Sequence, residues 1–208
     1  MLSTNLSLVT SDGPAREPTP TRQRRPRGAV REGLVAAGLE LARTGGPDAV
    51  VLREATQMVG VVPNAAYRHF ADRDELLAAV STAAMRELAA RTAAGVARVR
   101  GKYGDPAAAR RRLRAIGRAY LEFARQEPGL FATAFALPGQ HGYDAPDGGT
   151  GQNPMPLDQL RAVLDELADA GVLDRRRRAG IEYPIWSTVH GFAAGPNITW
   201  PCSHHAIT

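Results

Sequence analysis

The segment from Leu52 to Leu77, LREATQMVGVVPNAAYRHFADRDELL, constrains the fold more than any other part of the chain. Leu52, Ala55 and Val59 recur at helical spacing, Gly60 supplies the permissive backbone that a sharp turn needs, and apolar Val61 folds back onto the first helix. Pro63 suits the first position of a second helix, because its missing N–H would be unpaired there and its φ is already near the helical value. That second helix, expected over Pro63–His69, is too short to be stable alone, so Ala66 and Phe70 must hold it on its neighbours. Its outward residues Asn64, Ala65, Tyr67, Arg68 and His69 offer hydrogen bonds to phosphates and base edges around one small side chain. Asp72 and Glu75 form a D-x-x-E capping box that opens a long helix striped by Leu76, Leu77, Val80, Ala84 and Leu88. Two short helices around a glycine turn, followed by a stem, make the helix-turn-helix plan, whose second helix enters the DNA major groove. The plainer alternative is a packed helical corner without a partner.

Charge placement agrees with an anionic partner. The chain of 208 residues has a net charge of +5 and a pI near 10.0, and Lys102 is its one lysine. Between Arg22 and His69, arginines at 22, 24, 25, 27, 31, 43, 53 and 68 outnumber the acids Glu32, Glu40, Asp48 and Glu54. A basic excess favours nucleic acid, although a solvated surface also produces one. Cys202 is the one cysteine, without a C-x-x-C or H-x-x-x-H companion, so no disulfide framework, metal site or cofactor is expected. Neither a secretory leader nor an apolar run of membrane-spanning length occurs, which leads to the expectation of a cytoplasmic protein with no membrane partner.

The remaining pattern is all-α. Residues 1–27 are rich in Ser, Thr and Pro and are expected to form a disordered leader, with Arg22, Arg24, Arg25 and Arg27 at its end as a basic arm or a solvated tail. A first helix carries Val30, Leu34, Ala37 and Leu41 on one face and stops at Gly45-Gly46-Pro47. Residues 28–72 thus form a three-helix head, and residues 73–195 a helical body. In the body, a long helix over Ala107–Gln126 has Leu113, Ile116, Tyr120 and Phe123 on one stripe, and Leu130–Leu137 forms a short apolar helix with Phe131 and Phe135. Pro138–Pro156, rich in glycine and proline, is expected to be a mobile loop, where His141 and Tyr143 are placed to lid a pocket. Leu157, Leu160, Leu164 and Leu167 stripe the next helix. A last helix, expected over Arg175–Ala194 with a kink at Pro184, carries Ile181, Ile185, Val189 and Phe192. Residues 196–208 form an irregular tail without a helical stripe. Cys202, His204 and His205 within it read as unstructured rather than as a metal site.

Gly60-Val61, Tyr67-Arg68-His69-Phe70 and Asp72-Arg73-Asp74-Glu75-Leu76-Leu77 together resemble the signature of the TetR family of transcriptional regulators. The resemblance spans roughly Ala29 to Val80, and Trp186, His190 and Gly191 are similar to the W-x-x-x-H-G pattern in the C-terminal domain of one branch of that family. It implies a homodimer whose heads bind a double-stranded, palindromic operator and whose bodies bind a small-molecule effector. It also implies DNA contacts at Arg53, Pro63, Asn64, Ala65, Tyr67, Arg68 and His69, with Arg73 where the family usually places a phosphate-contacting lysine. Val51 and Val62 depart from the hydroxyl residues common before the two motif helices, and each missing cap costs about 1 kcal/mol. Candidates for a ligand pocket are Tyr120, Phe123, Phe131, Phe135, Trp186 and His190, set against ordinary core packing for each ring and a dimer seam for Trp186 and His190. The branch implies a further helix after Ala194. The sequence there, GPNITWPCSHHAIT, has no such pattern, which leads to the expectation of a truncated or altered end and a weakened dimer. The alternatives to a ligand-responsive repressor are a non-specific or architectural DNA-binding protein and an enzyme. Against the latter, no nucleophile elbow, P-loop or dinucleotide fingerprint accompanies His69, His141 or His190.

Overall fold

The computed structural model describes residues 27–137 and 154–195, so the expectations for the leader, for the Gly/Pro-rich stretch with His141 and Tyr143, and for the tail lie outside the described residues. Eight α-helices occur among the described residues: α1 (Arg27–Gly45), α2 (Leu52–Val59), α3 (Pro63–Ala66), α4 (Arg73–Ala97), α5 (Pro106–Gln126), α6 (Pro128–Ala134), α7 (Pro156–Asp169) and α8 (Glu182–Ala194). The fold is all-α, as the periodicity requires. The stem helix α4 serves both ends of the molecule. Its capping box forms as expected at the first step, Glu75 N–H donating to Asp72 Oδ1 at 2.8 Å, while the Glu75 carboxylate reaches one residue further back and accepts from Ala71 N–H at 2.6 Å. Leu76, Leu77, Val80, Ala84 and Leu88 are all buried, and they join one continuous core that runs from Leu34 of α1 to Trp186 of α8.

Several boundaries differ from the sequence reading, each for a local reason. The recognition helix ends at Ala66 instead of His69, so it is one turn rather than two, and Tyr67–His69 continue as a turn. The short apolar helix is Pro128–Ala134 instead of Leu130–Leu137, because Pro128 starts a helix where a break was expected and Phe135 already lies at its C-cap. The last helix does not begin at Arg175: a 3₁₀ turn at Arg175–Arg177 and Gly180, at φ 75°, precede it. Pro184 therefore sits in the first turn of α8, where a proline removes no helical hydrogen bond and has no preceding helical turn to kink against. Phe192, read as part of the apolar stripe of that helix, is exposed.

Two clasps fix the body. Arg112 of α5 pairs with the buried carboxylate Glu166 of α7, which also accepts from Gly104 N–H at 3.1 Å, while Tyr103 donates to Asp169 at 2.8 Å. At the start of α8, buried Glu182 accepts from Arg178 at 2.9 Å and from Arg161 at 3.4 Å, tying α8 to α7. Burial opposes the charge on Glu182, but a backbone N–H at the helix start and the two guanidiniums outweigh it and hold the carboxyl below its usual range. A depressed folded-state pKa contributes stability that is present above the unfolded value, about 4.3, and lost as pH falls through the folded one. Glu182→Gln is therefore expected to lower the melting temperature at neutral pH and to flatten its decline below about pH 4. An unchanged acid limb would show that this clasp does not govern acid stability.

Candidate nucleic-acid interface

The glycine turn is built as the sequence requires. Gly60 adopts φ 70°, and the Gly60 and Val61 N–H groups close back on Gln57 O at 3.2 Å and Thr56 O at 3.1 Å, ending α2. Val51 and Val62 precede their helices with no side-chain cap, so tertiary contacts must hold the single-turn α3. Ala66 and Phe70 supply them: both are fully buried, and the Arg31 guanidinium of α1 lies 5.0 Å from the Phe70 ring centre. The Phe70 N–H closes on Ala66 O at 3.0 Å, and His69 N–H on the same carbonyl at 2.8 Å.

With that anchor inward, Asn64, Tyr67 and Arg68 stand together on the solvent face at i, i+3 and i+4, and Tyr67 is 59% exposed. Pro63 is exposed beside them, whereas Ala65 and His69 are half-buried at the flanks. Arg53 is exposed in the first turn of α2, and neither it nor Arg68 forms a salt bridge among the described residues. Arg73 behaves differently from the expected phosphate contact. Its Nη2 donates to Pro47 O at 2.7 Å, with Asp74 at 3.6 Å and Asp48 at 3.8 Å, so in this structure it braces the start of α4 against the segment after α1.

In the body, five of the six aromatic or imidazole candidates converge. Tyr120 of α5 packs edge-on against Phe131 at 5.5 Å and Trp186 at 5.2 Å, while Phe135 lies 5.0 Å from Phe131 and 4.5 Å from His190. The Tyr120 hydroxyl and His190 Nδ1 share a 2.8 Å hydrogen bond. Phe123 is not in this cluster. It is fully buried three residues along α5, where its ring lies under the Arg91 guanidinium of α4 at 5.1 Å. Beside the cluster, a cavity of about 220 Å³ is walled by Tyr120 and Trp186 and otherwise by Leu113, Ile116, Leu160 and neighbouring aliphatic residues of α8. Phe131, Phe135 and His190 form the backing of those two walls rather than the lining. Leu113 and Ile116 read from sequence only as core; their spacing of seven and four residues before Tyr120 is the signal that places them on the same wall.

Interface and chamber meet through α6. Gly129 faces the end of α1 so closely that a Cβ there would lie 2.1 Å from Ala42 O and 2.8 Å from Arg43 O. Around this contact, Arg43 donates to both oxygens of Glu87 at 3.0 Å and pairs with Glu127 at 2.8 Å, and Arg91 pairs with Glu127 at 3.1 Å. Partial burial disfavours the charge on Arg43, but its bonds to Glu87 and Glu127 outweigh this and raise its pKa. Half-exposed pairs of this kind are each worth no more than about 1 kcal/mol, so their value is to fix α1, α4 and the start of α6 in one register.

Residues 113–195 match the family described as Tetracyclin repressor-like, C-terminal domain. The chain is similar to the solved structure of a protein with unknown function from Rhodococcus sp. RHA1, with 25% identity, a TM-score of 0.64, and 83% of this chain and 84% of that one covered. It also aligns with the TetR family transcriptional regulator PfmR from Thermus thermophilus, at 20% identity and a TM-score of 0.47, over 81% of this chain and 88% of the other. No curated protein matches the sequence. No helix of the described residues is long and apolar enough to cross a membrane.

The packing at Gly129 generates a direct test. Gly129→Ala is expected to destabilise the chain by about 1–3 kcal/mol, as overpacking against backbone does, measured by denaturant unfolding. A neutral substitution would mean that α1 and α6 are not held at this distance.

Proposed function

We propose that this chain, a TetR-family protein by its C-terminal domain, is a ligand-responsive transcriptional repressor that binds a pseudo-palindromic operator as a dimer. The family itself implies DNA-binding transcriptional regulation rather than catalysis. The observation that carries the finer reading is the exposed face of Asn64, Tyr67 and Arg68, held out by buried Ala66 and Phe70 behind the Gly60 turn. Residues 28–72 act as the DNA-reading head and 73–195 as the effector-binding and dimerisation body, in the cytoplasm. Arg53, Pro63, Asn64, Ala65, Tyr67, Arg68 and His69 contact the duplex, Asn64 and Arg68 reading base edges and Tyr67 and His69 positioning the backbone. Arg73 contributes to a phosphate only after leaving Pro47 O, so its main part is to brace the head. In a dimer, two such faces about 34 Å apart meet successive major grooves on one side of the DNA.

The effector enters the hollow walled by Tyr120 and Trp186. That hollow is apolar and, at about 220 Å³, smaller than usual drug-sized pockets, which suits a small apolar or aromatic molecule. Pressure on Tyr120 passes through Phe131 and Phe135 to α6, and from Gly129 to the end of α1. An effector that binds the shifted arrangement more tightly releases the DNA by the amount of that preference.

Fluorescence anisotropy on the DNA flanking the chain's own gene, with random duplex as competitor, tests the reading. A competitor-resistant site is expected. Arg68→Ala or Asn64→Ala is expected to weaken it by about 1–3 kcal/mol and to relax sequence preference, whereas Tyr67→Ala weakens all sequences alike. Equal affinity for flanking and random DNA would instead assign a non-specific, architectural role.

A further inference from the structure

Far from the recognition turn, α4 and α5 enclose a surface groove of about 590 Å³ whose chemistry neither the DNA interface nor the apolar hollow uses. Arg91 of α4, Arg98 just past its end, and Arg111, Arg114 and Arg118 of α5 line it, facing one carboxylate, Glu122. Its floor is small-residued: a Cβ added at Gly95 would stand 3.4 Å from Ala115 O and 3.5 Å from Ala119 Cβ. Elsewhere in the body the arginines facing a neighbouring helix are matched, as Arg112 is by Glu166 and Arg161 and Arg178 are by Glu182. Here Arg98, Arg114 and Arg118 form no salt bridge among the described residues, while Arg111 donates to Arg100 O at 3.0 Å and reaches the Asp105 carboxylate at 3.9 Å. Like charges three and four residues apart on a helix repel by about 0.2–0.5 kcal/mol per pair, a cost that an external anion relieves.

We propose that this groove binds an organic polyphosphate, the class of the nucleoside di- and triphosphates. Guanidiniums recognise phosphoryl oxygens in bidentate fashion, and three unmatched ones, at the end of α4 and along α5, suit more than one phosphoryl group. The volume lies within the range of small-ligand sites, and the flat alanine and glycine floor accepts the sugar or ring of such a molecule. A DNA duplex held by the head is excluded as the occupant by distance. Arg91 stands eighteen residues beyond Arg73, about 27 Å along α4 at 1.5 Å per residue. The proposal does not rest on the effector hollow, which lies on the opposite face of α5, toward α7 and α8.

Calorimetric titration of the full chain with ATP as the probe, at two salt concentrations, tests this. Saturable binding of one ATP per chain that weakens with salt is expected. The double variant Arg114→Gln and Arg118→Gln is expected to bind at least about tenfold more weakly, as losing charged hydrogen bonds does. The control Arg176→Gln and Arg177→Gln changes two exposed arginines of the 3₁₀ turn and is expected to bind as the parent does. All three proteins are expected to melt alike, because these side chains are exposed. No saturable binding, or the same loss in both variants, would overturn the assignment in favour of an unspecific basic surface. Loss of operator binding alone would leave it standing.

Discussion

The contact of Gly129 with the Ala42 and Arg43 carbonyls is the constraint on which the coupled architecture depends. It brings the first residues of α6 onto the last turn of α1 with no side chain between them. Arg43, Glu87, Glu127 and Arg91 then lock the surrounding charges in alternation. A larger residue at position 129 would wedge the head from the body. With glycine there, the rings of α6 and the turn after Gly60 belong to one packed unit.

The stem helix α4 gives that unit its length. Its apolar stripe packs on α1 near the head and on α5, α6 and α7 further along, so one core runs through both parts. A packed core transmits displacement because it has few voids to absorb it. The small hollow walled by Tyr120 and Trp186 interrupts that packing, and it adjoins the cluster that includes Phe131 of α6. The Arg112–Glu166 clasp holds the far end of α5 to α7.

Much of this was legible in the residues. The Gly60 turn, the capping box at Asp72 and the stem stripe follow from spacing and local chemistry, whereas Tyr120, Phe131, Phe135, Trp186 and His190 were legible as candidates and only the packing of three helices brings them together. What was not legible depends on tertiary geometry. The end of α3 at Ala66 has no signal in the residue spacing, and the start of α8 at Glu182 follows the turn at Gly180 and the arginine clasp. Phe123 shares a stripe with Tyr120, yet its ring meets Arg91 of α4 and not the cluster. Arg73 carries the right charge for a phosphate but finds a carbonyl, Pro47 O, within the head. Periodicity specifies a face; it does not specify which neighbour that face meets.

Hydrogen–deuterium exchange of the full chain with and without its bound duplex tests the coupling most directly. The account predicts slower exchange in the recognition turn at Pro63–Ala66 and, although it touches no DNA, a change in α6 at Pro128–Ala134 as well. Protection confined to the head, with α6 unaltered, would contradict it.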